Sequence, residues 1–143
     1  MTEAIFGLLG VVVGGLISGG LSLILEWRKE RVAARVAARL VREDLLPVSL
    51  GIEDVFGGRA WIQDPDRRSR EQSWVEHRAR LATVMKYEDY AAVVQAQIAA
   101  DRFEAWFTNS ADGSRLDESD RNPLRSWNAA VGGGLSRLLE GAK

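Results

Sequence analysis

The stretch AIFGLLGVVVGGLISGGLSLIL, Ala4 to Leu25, contains no charged side chain, and EWRKER, Glu26 to Arg31, follows it at once. As a helix, such a run reaches about 33 Å, against about 30 Å for the hydrocarbon core of a bilayer. Its glycines, each about 1 kcal/mol worse than alanine in a helix, would make it a poor short helix in water. In lipid it has to be helical, because nothing else satisfies its backbone. The pattern predicts a transmembrane helix over 4–25. A cleaved signal peptide is the competing reading, but Met1 to Ala4 carries no basic residue and the apolar run is long.

Charge is distributed unevenly around this run. Between Glu26 and Arg42 stand six basic and two acidic residues, a net of +4; from Glu43 onward thirteen basic and seventeen acidic residues give −4. The positive flank on the C-terminal side predicts an inner-membrane, single-pass topology, with the N-terminus outside and the remainder cytoplasmic. The acidic remainder argues against nucleic acid as a partner. Cysteine is absent from the 143 residues, which excludes disulfides and thiolate metal sites.

Beyond the run, the periodicity is helical throughout. From Glu26 to Leu46 there is neither glycine nor proline, so a basic juxtamembrane helix over 26–46 continues the span. Pro47 is expected to end or kink it. The rest, 47–143, is read as a small cytosolic helical bundle: an all-α protein, with no strand-like alternation. A short helix carrying Val48, Ile52, Val55 and Phe56 is expected to stop at Gly57-Gly58. A loop follows over 57–68, with Trp61 as an anchor. Further helices are expected from Ser69 to Met85 (Trp74, Leu81), from Tyr87 to Phe107 (Tyr90, Val94, Ile98, Phe103, Trp106), and from Asn122-Pro123 as N-cap and first turn. On the last, Leu124, Trp127, Val131, Leu135 and Leu138 share a face, with a break expected at Gly132-Gly133-Gly134. Residues 108–121 read as a polar loop.

Projected at about 100° per residue, Gly7, Gly10, Gly14, Ser18 and Ser22 fall within one arc, which Gly15 and Gly19 widen. Small faces of this kind let membrane helices approach closely. The opposite side carries Leu9, Val13, Leu16 and Leu23. Extended past the membrane, the small face would emerge as Val32, Ala33, Val36, Ala37 and Leu40, with Lys29 near it. The expectation is parallel self-association along this seam; a lone anchor, or a helix that binds a different membrane partner, is the alternative. Trp27, Arg28, Lys29 and Arg31 would sit at the membrane interface, among lipid headgroups. From Arg35 onward the arginines read as a solvated face pairing with acidic neighbours.

Chemistry is sparse. His77, the sole histidine, has no second histidine or cysteine to share a metal, and is expected at the surface or in a cap. Glu88-Asp89 suits the opening turn of a helix. Asp117 to Asp120 lacks the spacing of a calcium loop, and the glycine triplet lacks the lysine of a phosphate loop. Trp61, Trp74, Trp106 and Trp127 read as core. No catalytic residue, metal or cofactor is implied.

The segments AARLVRED (Ala37 to Asp44), SWVEHRARLATVM (Ser73 to Met85) and YEDYAAVVQA (Tyr87 to Ala96), behind a glycine-rich span, give the chain a layout that resembles small bacterial single-pass membrane proteins with a cytosolic helical tail. Sixteen arginines against three lysines suit a GC-rich bacterial genome. The resemblance implies a fold and a location but brings no functional residue with it. The expected function is a membrane-anchored, non-enzymatic interaction or scaffold module, homo-oligomeric, touching lipids and an unidentified protein partner of its cytosolic helices. The alternative is a small pore-forming, holin-like or defence effector.

Overall fold

The computed structural model describes residues 2–59, 67–110 and 118–141, and among these the side chains of 13–59, 70–110 and 118–140. Four helices and no strand occur among the described residues: α1 Thr2–Phe56, α2 Arg67–Val84, α3 Tyr87–Asn109 and α4 Glu118–Gly141. The all-α expectation holds. Residues Met1–Ala33 and Ala34–Lys143 form two separate units, each taken by itself below.

In the unit Ala34–Lys143, the core is built by all four helices. α1 contributes Ala37, Val41, Leu45, Val48 and Ile52; α2 adds Leu81; α3 adds Val93, Ala96, Ala100 and Phe103; α4 adds Leu124, Val131 and Leu138. Trp74, Tyr90, Trp106, Phe107 and Trp127 pack around it, partly buried. The tryptophans at 74, 106 and 127 are therefore core residues, as their stripes predict; Trp61 lies outside the described residues.

α1 does not end at Pro47. An interior proline removes one backbone bond and costs about 3 kcal/mol. Val48, Ile52 and Val55, just past it, lie on the same side as Val41 and Leu45 and are all buried. Burying three such side chains is worth about 1.5–3 kcal/mol each, so packing outweighs the proline and the expected short helix merges with the long one. The domain boundary expected at 46/47 is thus interior to one helix. The real stop is at the glycine pair: Gly58 takes φ +69°, Arg59 N–H donates to Asp54 O at 2.8 Å and Gly58 N–H to Val55 O at 3.1 Å. These two bonds make a Schellman cap.

α3 and α4 run antiparallel. Asp89 near the start of α3 meets Arg137 near the end of α4 at 3.3 Å. At the other end Trp106 Nε1 donates to Asp120 Oδ1 at 3.3 Å, and the Trp106 and Trp127 ring centroids lie 6.3 Å apart. The glycine triplet does not break α4. Gly134 instead lies tight against α3, facing Ala96 and the backbone of Ala92 and Val93. α4 also starts before Pro123, at Glu118, and Asp120 in this extra turn accepts the hydrogen bond from Trp106 Nε1.

Among the described residues no helix is long and apolar enough to cross a membrane. The backbone of the uncharged run Ala4 to Leu25 lies wholly within α1, and its side chains are described from Val13 onward. From Val13 to Leu25 it reaches about 20 Å as a helix, short of the hydrocarbon thickness. The side chains of Ala4 to Val12 lie outside the described ones. The structure thus supports the helical bundle and leaves the membrane-spanning expectation without support of its own.

Candidate interaction surfaces

Gly14, Gly15, Ser18, Gly19 and Ser22 are all exposed; Gly7 and Gly10 lie outside the described side chains. A methyl group added at Gly14, Gly15 or Gly19 would meet nothing within 4 Å. The serines are satisfied within the helix: Ser18 Oγ donates to Gly14 O at 2.8 Å and Ser22 Oγ to Ser18 O at 3.0 Å. Hydroxyls bonded back in this way need no water. The aliphatic side chains around them are equally bare. Leu16 is 71% exposed and Leu23 68%, and Val13, Ile17, Leu21, Ile24 and Leu25 are exposed too.

The interface residues also lie on this stretch. Trp27, Arg28, Lys29 and Arg31 are exposed, and the Arg31 guanidinium stacks 3.9 Å above the Trp27 ring. Stacking of this kind keeps a cation and an indole together at i, i+4 spacing.

In the unit Ala34–Lys143 the seam expected beyond the membrane is divided. Ala37 is fully buried in the core, while Val36 and Leu40 are exposed. Val32, in the first unit, is exposed as well. The small alanines were read as part of an intermolecular face; Ala34, Ala37 and Ala38 in fact let α1 approach the rest of its own bundle. The arginine stripe is divided too. Arg39 bonds Glu43 on its own helix at 2.8 Å, with both exposed, which raises the Arg39 pKa through the hydrogen bond and charge of Glu43. Arg42 is half-buried, with its Nε unpartnered.

Two polar features escaped the sequence. Arg70 on α2 is buried and forms a bidentate ion pair with buried Glu104 on α3, with a further bond to Asp101 at 3.1 Å. Burial works to lower the Arg70 pKa, but Glu104 and Asp101 outweigh it and raise it. Burial raises the Asp101 pKa, partly offset by Arg70 and reinforced by Glu104 and Glu71. His77, expected at the surface, is buried with its Nδ1 unpartnered. It lines a shallow hollow with Leu40, Asp44, Gln72, Ser73 and Glu76. The missed signal was spacing: Arg70, Trp74, His77 and Leu81 form one inner face of α2, only half of it apolar.

No group of three or more histidine, cysteine or acidic residues among those described could hold a metal ion. Glu88 and Asp89 stand in the first turn of α3, and Glu118 and Asp120 in that of α4. Set against known proteins, the chain matches no family model, no curated protein and no solved structure.

Proposed function

We propose that this chain is a membrane-anchored, non-enzymatic interaction module, held by Ala4 to Leu25 and presenting its helical bundle at the cytoplasmic face. One observation carries the reading: seven large aliphatic side chains between Val13 and Leu25 are exposed on one helix, whose remaining face is glycine and serine with no charge. A helix apolar all round belongs in an apolar environment. Each such side chain gains about 1.5–3 kcal/mol on burial, a total of about 10–20 kcal/mol that matches the whole stability margin of a small domain. Lipid supplies that burial without a protein partner, and the uncharged sequence continues back to Ala4 for the remaining length. Trp27, Arg28, Lys29 and Arg31 then fall at the headgroups, where each basic residue gains about 1 kcal/mol from anionic lipid.

A second helix approaching along Gly14, Ser18 and Ser22 belongs to the same reading, because no side chain there stands in the way. A conducting pore is disfavoured. The Ser18 and Ser22 hydroxyls are engaged with backbone carbonyls, which leaves little polar lining for a water path.

The test is membrane fractionation of the full chain beside a variant lacking residues 4–25. The full chain should stay in the membrane pellet through an alkaline wash and enter solution only with detergent. The shortened chain should be released. Recovery of the full chain in the supernatant without detergent would overturn the reading.

A further inference from the structure

One hollow in the unit Ala34–Lys143 is lined by polar side chains that the bundle leaves unpaired. It encloses about 380 Å³ and joins Leu40 and Asp44 of α1 to Gln72, Ser73, Glu76 and His77 of α2. Among the described residues neither Asp44 nor Glu76 forms an ion pair, and the side chains of Gln72 and Ser73 make no hydrogen bond. His77 borders the same hollow, is only 9% exposed, and has no partner at Nδ1. A buried polar group is ordinarily bonded, so an imidazole left without a partner on the inner face of α2 calls for a role outside the core. The result is a concave, acidic site with several acceptors and no cation of the described chain paired in it.

The groups present select the occupant. Asp44, Glu76 and His77 are of the kinds that ligate metals, yet no group of three such residues among those described could hold a metal ion. One small ion therefore does not serve them together. A guanidinium does: it is planar, always charged and carries five N–H donors, enough for two carboxylates and a neighbouring amide or hydroxyl oxygen. Its methylene stem is apolar and suits Leu40, which is 38% exposed. An ammonium offers three donors around a single point and reaches fewer of these groups. The two unpaired carboxylates repel an anion.

We propose that this hollow binds a guanidinium group, with Asp44 and Glu76 receiving its donors and His77 beside them. The group belongs to an arginine side chain of a partner protein or to a small guanidinium compound, and the recognising chemistry is the same for both. The site gives the bundle a binding function of its own. It stands whether or not Ala4 to Leu25 enters a membrane, so its test and the fractionation test fail separately.

His77 is the sole histidine, so its imidazole C–H signals report the site in a nuclear magnetic resonance titration of the full chain in mild detergent. The probes are N-acetyl-arginine amide, N-acetyl-lysine amide and zinc ion, each added at constant pH and ionic strength. The arginine probe should move the His77 signals saturably, with a dissociation constant at least about fivefold below that of the lysine probe. Asp44→Asn and Glu76→Gln, which keep the shape of each side chain, should each weaken binding at least about tenfold, while Glu88→Gln on α3 should leave it unchanged. A shift that rises without saturating, or that survives both substitutions, would overturn the proposal. Saturable zinc binding with no response to the arginine probe would overturn it in favour of a metal. A peptide carrying one arginine among uncharged residues separates the two sources. Tighter binding than the arginine amide assigns a protein partner, and equal binding a small guanidinium compound.

Discussion

Gly134→Ala is the sharpest probe of this fold, because the same triplet supplies its control. A methyl group on Gly134 would approach the Ala96 Cβ more closely than real methyl groups do, with Ala92 O at 3.2 Å and Val93 Cα at 3.5 Å. None of these neighbours can rotate away, since all are backbone or attached to it. Relief requires α3 and α4 to separate, toward the 3.5–4.0 Å spacing typical of carbon contacts, by about 1 Å. Such overpacking costs about 1–3 kcal/mol, from which about 1 kcal/mol of better helix propensity is recovered. The net expectation is a loss of about 0–2 kcal/mol. At Gly132 and Gly133 an added methyl meets nothing within 4 Å, so alanine there should gain up to about 1 kcal/mol. Urea unfolding of the full chain in one detergent, followed by circular dichroism, reads both. Gly133→Ala should raise the midpoint and Gly134→Ala should fall below it, with a gap of about 1–3 kcal/mol between them. Gly134→Ala as stable as Gly133→Ala would refute the close approach of α3 and α4.

Three further outcomes are expected. Arg70→Met strands the buried carboxylate of Glu104 and should cost about 3–5 kcal/mol in the same unfolding assay, while Arg70→Met with Glu104→Leu should lose much less. Asp101 has a folded pKa raised above 3.8 by burial, so the native chain binds its proton more tightly than the unfolded chain does. Its contribution to stability is present below about 3.8 and falls as pH rises through the carboxylate range. Stability measured against pH should therefore show Asp101→Asn gaining on the parent as pH rises across that window; a flat or falling difference would contradict it. Pro47→Ala should stabilise by about 1–2 kcal/mol, since the interior proline's penalty exceeds the unfolded-state entropy it removes. An unchanged unfolding midpoint would mean that α1 had already accommodated the proline.

What the sequence revealed, and what it concealed, divides by range. Tyr87–Asn109 was readable to within two residues at its end, because its acidic first turn and bounding residues are local, but its inner face was misread: Ile98 is exposed, while Val93, Ala96 and Ala100 are buried. Leu124, Val131 and Leu138 were placed correctly on the inner face of α4. The errors at Pro47, Pro123 and the glycine triplet share one cause. Each is a local breaking signal of about 1–3 kcal/mol that a distant contact outweighs: Val48 and Ile52 in the core, Trp106 on Asp120, α3 against Gly134. The Arg70–Glu104 pair, separated by 34 positions, has no local signal at all. The small-residue face of 14–22 was legible as a pattern, but a pattern of small residues does not state what will lie against it.

The same ambiguity governs α1 between Ala34 and Phe56, where both sides are apolar and periodicity alone cannot rank them. Size decides the matter. Ala34, Ala37 and Ala38 offer little area to a partner, but they let a neighbouring helix come close, and Val41, Leu45, Val48 and Ile52 then fill the space that this approach encloses. The outer stripe has larger side chains at its ends and a charged pair at its centre, a composition that would leave a desolvated Arg39 and Glu43 in a monomer's core. Placed outward, those charges stay hydrated and pair with each other along α1 at 2.8 Å. The inner face thus specifies how the chain folds, and the outer stripe contributes little to it. Exchanging Val36 and Leu46 for polar residues should accordingly leave the unfolding midpoint of the bundle nearly unchanged, and a clear drop in that midpoint would refute this assignment of the two faces.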